Sequence, residues 1–449
     1  MNGENAVRCV QSEWIISAIG RAHTERMMDM VTDMEEKLAS IDKEEVLQRF
    51  RRYVEIPTNS DPDSKTSPTT EKQWVLAREL ERELKELGFS DVRLKEHCYV
   101  LAELPATTDR KLPVMGLIAH VDTSCEAPDG PMDMQVHPDY DGSCLELSPG
   151  RFLDPEVFPD LKRYVGQNLI TTDGTTLLGA DDKAGICGIV TACAYLLRHP
   201  EIPHGKILLA FTPDEEVGHG PVHFPYDDFP ADFAYTVDSG AVGQLNYESF
   251  HACNATVDFT GIAVHPGSAK HTMRNAIKMA AEFLDLLPAG EAPEYTEDHE
   301  GFYHPVRIQG GVESASLDFF LRDHDRKILD GRKEYMLACV ELMNRKYGKG
   351  AVRCQLTEMY ANMKEYIEPV YGIVERAMKA YRAAGVEPCI APVRGGTDGS
   401  VLSAHGLPCP NIFTGGHNFH GSFEYITLEA LVTLSRVLVE LMKDDSAEG

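Results

Sequence analysis

Five stretches of the chain run a short apolar strand, as the sequence reads, into residue types that bind metals. Val114–Ala119 leads into His120 and Asp122, Thr176–Leu178 into Asp181 and Asp182, and Ile207–Phe211 into Glu215 and Glu216. Phe233–Val237 leads into Asp238, and Asn411–Phe413 into His417 and His420. Carboxylates often cap strands and helices, so one such junction carries little weight. Five predict convergence, because in an open α/β sheet the side chains just beyond the carboxyl ends of neighbouring strands share one crevice. Histidines among several carboxylates suit a divalent ion of the zinc, cobalt or manganese kind, with no thiolate needed.

Each junction has its own chemistry. His120 and Asp122, two apart on a strand, point to one side, so the carboxylate can take the imidazole N–H and leave the other nitrogen for a metal. Asp181 and Asp182 stand where a turn opens a helix, and alone such a doublet also fits acids that cap a helix N-terminus. The second doublet, Glu215-Glu216, favours the functional reading, since two acidic pairs can supply a bridging ligand and a base together. Two metals sharing a carboxylate hold a water between them and bring its pKa towards about 7. A further carboxylate must then take that water's proton.

The elements that must position these groups alternate between strand and helix. Amphipathic helices are expected at Lys43–Tyr53, with Asp42 as N-cap, and at Thr70–Leu87, with Gly88 past the end. Strands follow at Val92–Glu96, Val100–Leu104 and Val114–Ala119, then a long irregular segment from Ser124 to Gln167, a helix Lys183–Arg198 and a strand Ile207–Phe211. This order predicts an α/β fold with a mixed, mostly parallel sheet flanked by helices. The texture changes near Phe250 and returns after Glu365, with a helix expected at Tyr366–Ala384. The expected organisation is a metal-binding catalytic domain at 43–249 and 366–449, interrupted by an inserted α+β domain at 250–365. Residues 1–42, with several Met residues, read as a flexible extension.

Composition narrows the partners. The chain has 449 residues, 43% hydrophobic and 25% charged, and 71 Asp+Glu against 43 Lys+Arg give a formal net charge of −28. Without a basic surface, nucleic acid is not an expected partner, nor is a membrane: a polybasic patch is missing and no apolar run approaches a span. The 11 cysteines contain no C-x-x-C pair and read as reduced thiols in a cytoplasmic protein. A homodimer is left open.

Together the motifs His120-Val-Asp-Thr-Ser124, Leu178-Gly-Ala-Asp-Asp-Lys-Ala-Gly185, Phe211-Thr-Pro-Asp-Glu-Glu-Val-Gly218, Tyr235-Thr-Val-Asp238, His265-Pro-Gly, Arg394-Gly-Gly-Thr-Asp-Gly399 and Phe413-Thr-Gly-Gly-x-Asn-x-His-Gly421 closely resemble the tripeptide aminopeptidases of the M20 metallopeptidase family. The resemblance runs from about Lys43 to Lys443. It implies a zinc-exopeptidase-like catalytic domain, two Zn2+ (with Co2+ or Mn2+ as substitutes) and a short peptide substrate. Asp181 would bridge the ions, with His120 and Asp238 on one and Glu216 and His420 on the other. Glu215 would be the general base and later the proton donor, Asp122 would orient His120, and the bond joining Asp181 to Asp182 would be cis. The inserted domain would be a lid. Its His265 would reach the oxyanion, while Arg322 and Arg394 would hold the substrate carboxylate; the plainer readings are a turn residue before Pro266-Gly267 and interdomain ion pairs. His417 stands where the family often has an aromatic residue, and the pattern gives the ligand role to His420. Rival readings are a related dipeptidase or N-acyl amino acid deacylase, and an inactive metal-binding scaffold protein.

Overall fold

Asp42 opens the first helix by accepting the N–H of Glu44, and α1 (Lys43–Val54) turns Val46, Phe50, Tyr53 and Val54 inward. The computed structural model describes residues 41–128 and 132–444, so the extension read at 1–42 lies outside the described residues up to 40. Helix α2 (Gln73–Leu87) ends at Gly88, whose φ of 93° lets its N–H reach the carbonyls of Leu84 and Lys85. It begins three residues later than expected, because the hydroxyls of Thr69 and Thr70 bond Asp214 and the Asn59 carbonyl and hold a turn there.

The chain continues through β1 (Ser90–Leu94), β2 (Val100–Leu104), β3 (Met115–His120), β4 (Gln135–His137), β5 (Leu145–Ser148), β6 (Arg151–Leu153) and β7 (Leu169–Thr171). Helix α3 (Ala180–Arg198) and strands β8 (Ile207–Thr212), β9 (Phe233–Ser239) and β10 (Gln244–Asn246) follow. Next come β11 (His251–Thr260), α4 (Ala276–Leu286), β12 (Phe302–Gly310), β13 (Ser314–Asp323), α5 (Arg326–Tyr347) and β14 (Val352–Tyr360). The chain closes with α6 (Lys364–Ile367), α7 (Gly372–Ala383), β15 (Cys389–Ile390), α8 (Asp398–Ala404), β16 (Asn411–Phe413), β17 (Ile426–Thr427) and α9 (Leu428–Met442).

An eight-stranded sheet runs in the order β1-β2-β8-β3-β9-β16-β10-β15. Its centre is parallel: β8, β3, β9 and β16 are successive parallel neighbours, flanked by antiparallel pairings at β2 and β10. Both β3 and β8 are buried at every position, as strands covered on both faces must be. The carboxyl ends of these four strands therefore lie side by side, which is why the residues that follow them meet. A second sheet, β12-β13-β11-β14, is antiparallel and carries α4 and α5 over its own core of Met279, Phe283, Phe319, Leu321 and Met336. The chain leaves the large sheet after β10 and rejoins it at β15 and β16, so that sheet is discontinuous in sequence.

Helix α3, which begins beside the site, is anchored by a buried polar network. Arg49 on α1 donates to Glu83 on α2 at 2.9 Å and to Thr191 on α3 at 2.9 Å, while the Tyr53 hydroxyl donates to the other Glu83 oxygen at 2.6 Å. The Arg49 side chain is only 4% exposed. Removing Glu83 leaves the buried guanidinium only the partly exposed Glu45, 3.1 Å away, so Glu83→Ala is expected to lower the unfolding free energy by about 2–4 kcal/mol. Urea denaturation measures this, and a loss below about 1 kcal/mol contradicts the network's role.

Three further expectations differ from the structure. Thr176–Leu178 is not a strand: the Thr176 carbonyl accepts from the Thr172 hydroxyl and Leu177 N–H bonds Pro128, leaving no ladder. The segment from Ser124 to Gln167 is not simply irregular. It contributes β4 to a small sheet with β7 and β17, pairs β5 with β6, and packs Tyr140, Leu147, Leu153, Leu161 and Tyr164 against Tyr425. The helix expected at Tyr366–Ala384 breaks into α6, a tight turn Glu368–Val370 and α7, because Pro369 lacks the N–H a continuous helix needs.

Candidate metal centre

Two ligand triads share one carboxylate. His120, Asp181 and Asp238 form the first and Asp181, Glu216 and His420 the second, each with its ligand atoms within 4.8 Å of one another. Asp181 divides its oxygens between them. Oδ1 lies 2.9 Å from His120 Nε2, and Oδ2 lies 3.4 Å from His420 Nε2. Asp238 Oδ1 stands 3.6 Å from His120 Nε2, and Glu216 Oε2 stands 2.9 Å from His420 Nε2.

The backbone around the triads is held by further carboxylates. Asp122 takes the N–H of Glu215 at 3.0 Å on Oδ1 and that of Glu216 at 3.1 Å on Oδ2, and Oδ1 also lies 3.3 Å from His120 Nδ1. Its own carbonyl is 3.0 Å from the same imidazole nitrogen, so Asp122 both orients the ring and sets the acidic doublet. Asp182 accepts from His120 N–H and Gly185 N–H, both at 3.1 Å. Position 185 must be glycine: a Cβ there would collide with the Val237 carbonyl and the Asp182 carboxylate. The Asp181–Asp182 peptide bond is cis. Ahead of Glu215, Asp214 at φ 56° accepts from Thr69 and from Gln73 Nε2, so the loop after α1 and the start of α2 fix where the doublet stands.

These residues fit divalent metal. Glu216 Oε1 is buried without a hydrogen-bond partner, and among the described residues the charged partners of Asp181, Asp238 and Glu216 are the two histidines. Such an excess of buried carboxylate calls for cations. Burial, then Asp181, pushes Glu216 up to about 7, and burial first pushes Asp238 up to about 6. Burial and then Asp238 hold Glu215 well above the usual carboxylate range. Burial works against a charged His120 but is overcome by Asp238, Asp122 and Asp181, so His120 lies well above its ordinary value. Hydrogen bonds to Asp181 and Glu216 push His420 up to about 11.

A metal needs the neutral imidazole, so these raised values set the sign of a pH dependence. The raised values favour the protonated histidines in the metal-free chain, and metal must displace those protons. Affinity is therefore expected to fall as pH drops below 7 and to rise above it. Calorimetric titration in buffers of different ionisation enthalpy should show release of at least about two protons per chain at pH 7, one from each histidine. Uptake with no proton release contradicts this geometry.

The remaining expected residues make contacts of their own. His265 is exposed at the start of a short turn that follows β11, where its Nδ1 accepts the N–H of Gly267. Arg394 is a joint rather than a free fork. It donates to the carbonyls of Asp298 and Glu300 and to the Thr296 hydroxyl, and lies over the Phe250 and Phe302 rings. Arg322 donates to the Cys253 carbonyl and Asn254 Oδ1 and stacks on Phe320 and Tyr360, whose phenol is within electrostatic reach of Glu215. His417 packs on Tyr425 and bonds the Tyr164 hydroxyl at 2.5 Å.

Sequence reasoning missed two buried acids. Asp398 accepts from the Thr212 hydroxyl at 2.9 Å, is pushed up to about 7 by burial, and acts electrostatically on Glu215. Glu424 accepts two backbone N–H groups at the mouth of α3. Its signal was an acid inside the otherwise apolar run Phe423–Ile426.

Comparison with known proteins supplies the family. Residues 173–444 match the model for peptidase family M20/M25/M40. Peptidase T of Geobacillus thermodenitrificans is 50% identical over 403 residues, covering 89% of this chain and 98% of the relative. The chain belongs to peptidase family M20. As an M20 peptidase it is a metal-dependent hydrolase, and Peptidase T of Shouchella clausii is similarly close, 50% identical over 399 residues and covering 89% and 98% of the two chains. Solved structures share its fold. The aminopeptidase PepT from Bacillus cereus superposes with a TM-score of 0.70 at 22% identity, covering 89% of this chain and 98% of that one. A dinuclear metal-binding M20 peptidase of Bacillus subtilis gives 0.61 at 15% identity, covering 89% and 97%.

Proposed function

We propose that this M20 peptidase is a cytoplasmic di-zinc aminopeptidase that releases the N-terminal residue from tripeptides. The observation that carries the two-metal reading is Asp181, whose oxygens each face a different ligand triad. The substrate class is supported by the likeness to Peptidase T and to a Staphylococcus aureus tripeptidase of TM-score 0.71 at 21% identity, covering 90% of this chain and 98% of that one.

His120, Asp181 and Asp238 would hold one ion and Asp181, Glu216 and His420 the other. Two zinc ions, when bound there, supply Lewis acidity for the scissile carbonyl and lower the pKa of a water nucleophile towards about 7. The chain's own groups do the rest. Glu215, one residue from a ligand and set by the Asp122 bond to its N–H, takes the proton of the attacking water and returns it to the departing amine. Burial raises its pKa and so suits it to carry that proton near neutral pH. Asp122 fixes the His120 ring.

Residues 250–365 act in this reading as a lid, and 43–249 with 366–449 as the catalytic unit. Closing the lid would bring His265 towards the oxyanion and exclude bulk water. Arg322, stacked beside Tyr360, is the better candidate for the substrate carboxylate, because the donors of Arg394 already hold the 296–300 loop. Side-by-side assays of tripeptides, dipeptides, N-acetylated tripeptides and N-acyl amino acids test the assignment. Tripeptides with a free amine should be turned over fastest. Preference for dipeptides or acyl amino acids would replace this reading with a dipeptidase or deacylase, and no turnover with two zinc ions bound would leave a scaffold.

A further inference from the structure

We propose that Glu424 is a positioning residue for the bridging carboxylate, an inference that rests on the two-metal reading. Glu424 is 1% exposed. Its Oε1 accepts the N–H of Asp181 at 3.0 Å and its Oε2 accepts that of Gly179 at 2.7 Å. Both donors lie where α3 begins, at the end of a helix whose first N–H groups have no intrahelical partner. One side chain thereby grips the backbone on both sides of Ala180.

Glu424 itself stands on a rigid support. Its neighbour Tyr425 exchanges backbone bonds with His417 at 2.9 and 3.0 Å, and β17 immediately beyond pairs with β7. The loop that supplies His420 is therefore tied to Asp181 twice: His420 meets the Asp181 carboxylate and Glu424 meets the Asp181 backbone. Because each Asp181 oxygen serves a different triad, a small rotation of that residue alters both sites at once. Partners that orient metal ligands in this way typically change affinity by about 10–100-fold when lost.

Gln at 424 keeps the shape but offers one acceptor oxygen and turns an NH2 donor towards the second N–H. Asp keeps both oxygens but is too short to reach both donors. The test is zinc affinity of the full-length metal-free chain, measured by competition with a chromophoric chelator for wild type, Glu424→Gln and Glu424→Asp, with folding followed by circular dichroism. Wild type should bind two ions, Glu424→Gln should fold and bind both about 10–100-fold more weakly, and Glu424→Asp should fall between. A folded Glu424→Gln with wild-type affinity overturns the proposal. So does a Glu424→Gln chain that stays unfolded in saturating zinc while Glu424→Asp binds as wild type, since the residue then serves folding alone. Failure of the wild type to bind two ions refutes the two-metal reading itself, a result distinct from either.

Discussion

Glu215→Gln is expected to keep both metals and to lower kcat by about 10²–10⁴-fold, with KM little changed. The amide matches the carboxylate in shape, and the bonds that set this part of the loop come from the backbone: Glu215 N–H to Asp122 Oδ1 and Glu216 N–H to Asp122 Oδ2. The substitution therefore leaves the geometry in place and removes only a proton acceptor. Ligation is the task of Glu216, whose Oε2 faces His420, so zinc content should stay at that of the wild type. Metal analysis and steady-state kinetics on one preparation decide the matter. A near-normal rate would assign the base elsewhere, with Asp398 the next buried carboxylate to test. Loss of metal would make Glu215 a ligand.

Asp181→Asn should remove both ions together. The other ligands serve one triad each, whereas Asp181 serves both, and an amide offers one acceptor oxygen where the carboxylate offers two. Turnover is expected to fall by at least about 10⁴-fold, roughly 5 kcal/mol of barrier. His120→Ala gives the contrast, because it should empty the first site while Glu216, His420 and Asp181 retain the second. Metal stoichiometry by mass spectrometry under native conditions reads both variants. If Asp181→Asn kept one ion as firmly as wild type, the shared carboxylate would not be a bridge.

How far the site was legible depended on chain distance. His120, Asp238 and Glu216 announced themselves because the first two stand at the carboxyl ends of apolar strands and the third four residues past one, and parallel neighbours β8, β3 and β9 bring such strand ends together. His420 was legible through its motif, although the chain leaves the sheet and returns before reaching it. Thr176–Leu178 misled as a strand because a short apolar run fixes no hydrogen-bond partner; here Thr172 and Pro128 provide them. The roles of Glu424 and Asp398 depend on atoms far away in sequence, such as Gly179 N–H and the Thr212 hydroxyl, and no local pattern encodes those contacts. Arg394 shows the converse case. A guanidinium near a glycine-rich motif suits a carboxylate in principle, but aromatic rings and backbone carbonyls of the second sheet's connections claim it first. The helix break at Pro369 needed no tertiary information and follows from the missing N–H alone.

The most direct test of the account is X-ray diffraction at the zinc absorption edge from the zinc-loaded protein. It should give two anomalous peaks roughly 3.5–4 Å apart, each bound by one oxygen of Asp181, with His120 and Asp238 on one and Glu216 and His420 on the other. A single peak, or two peaks not joined by Asp181, would contradict it.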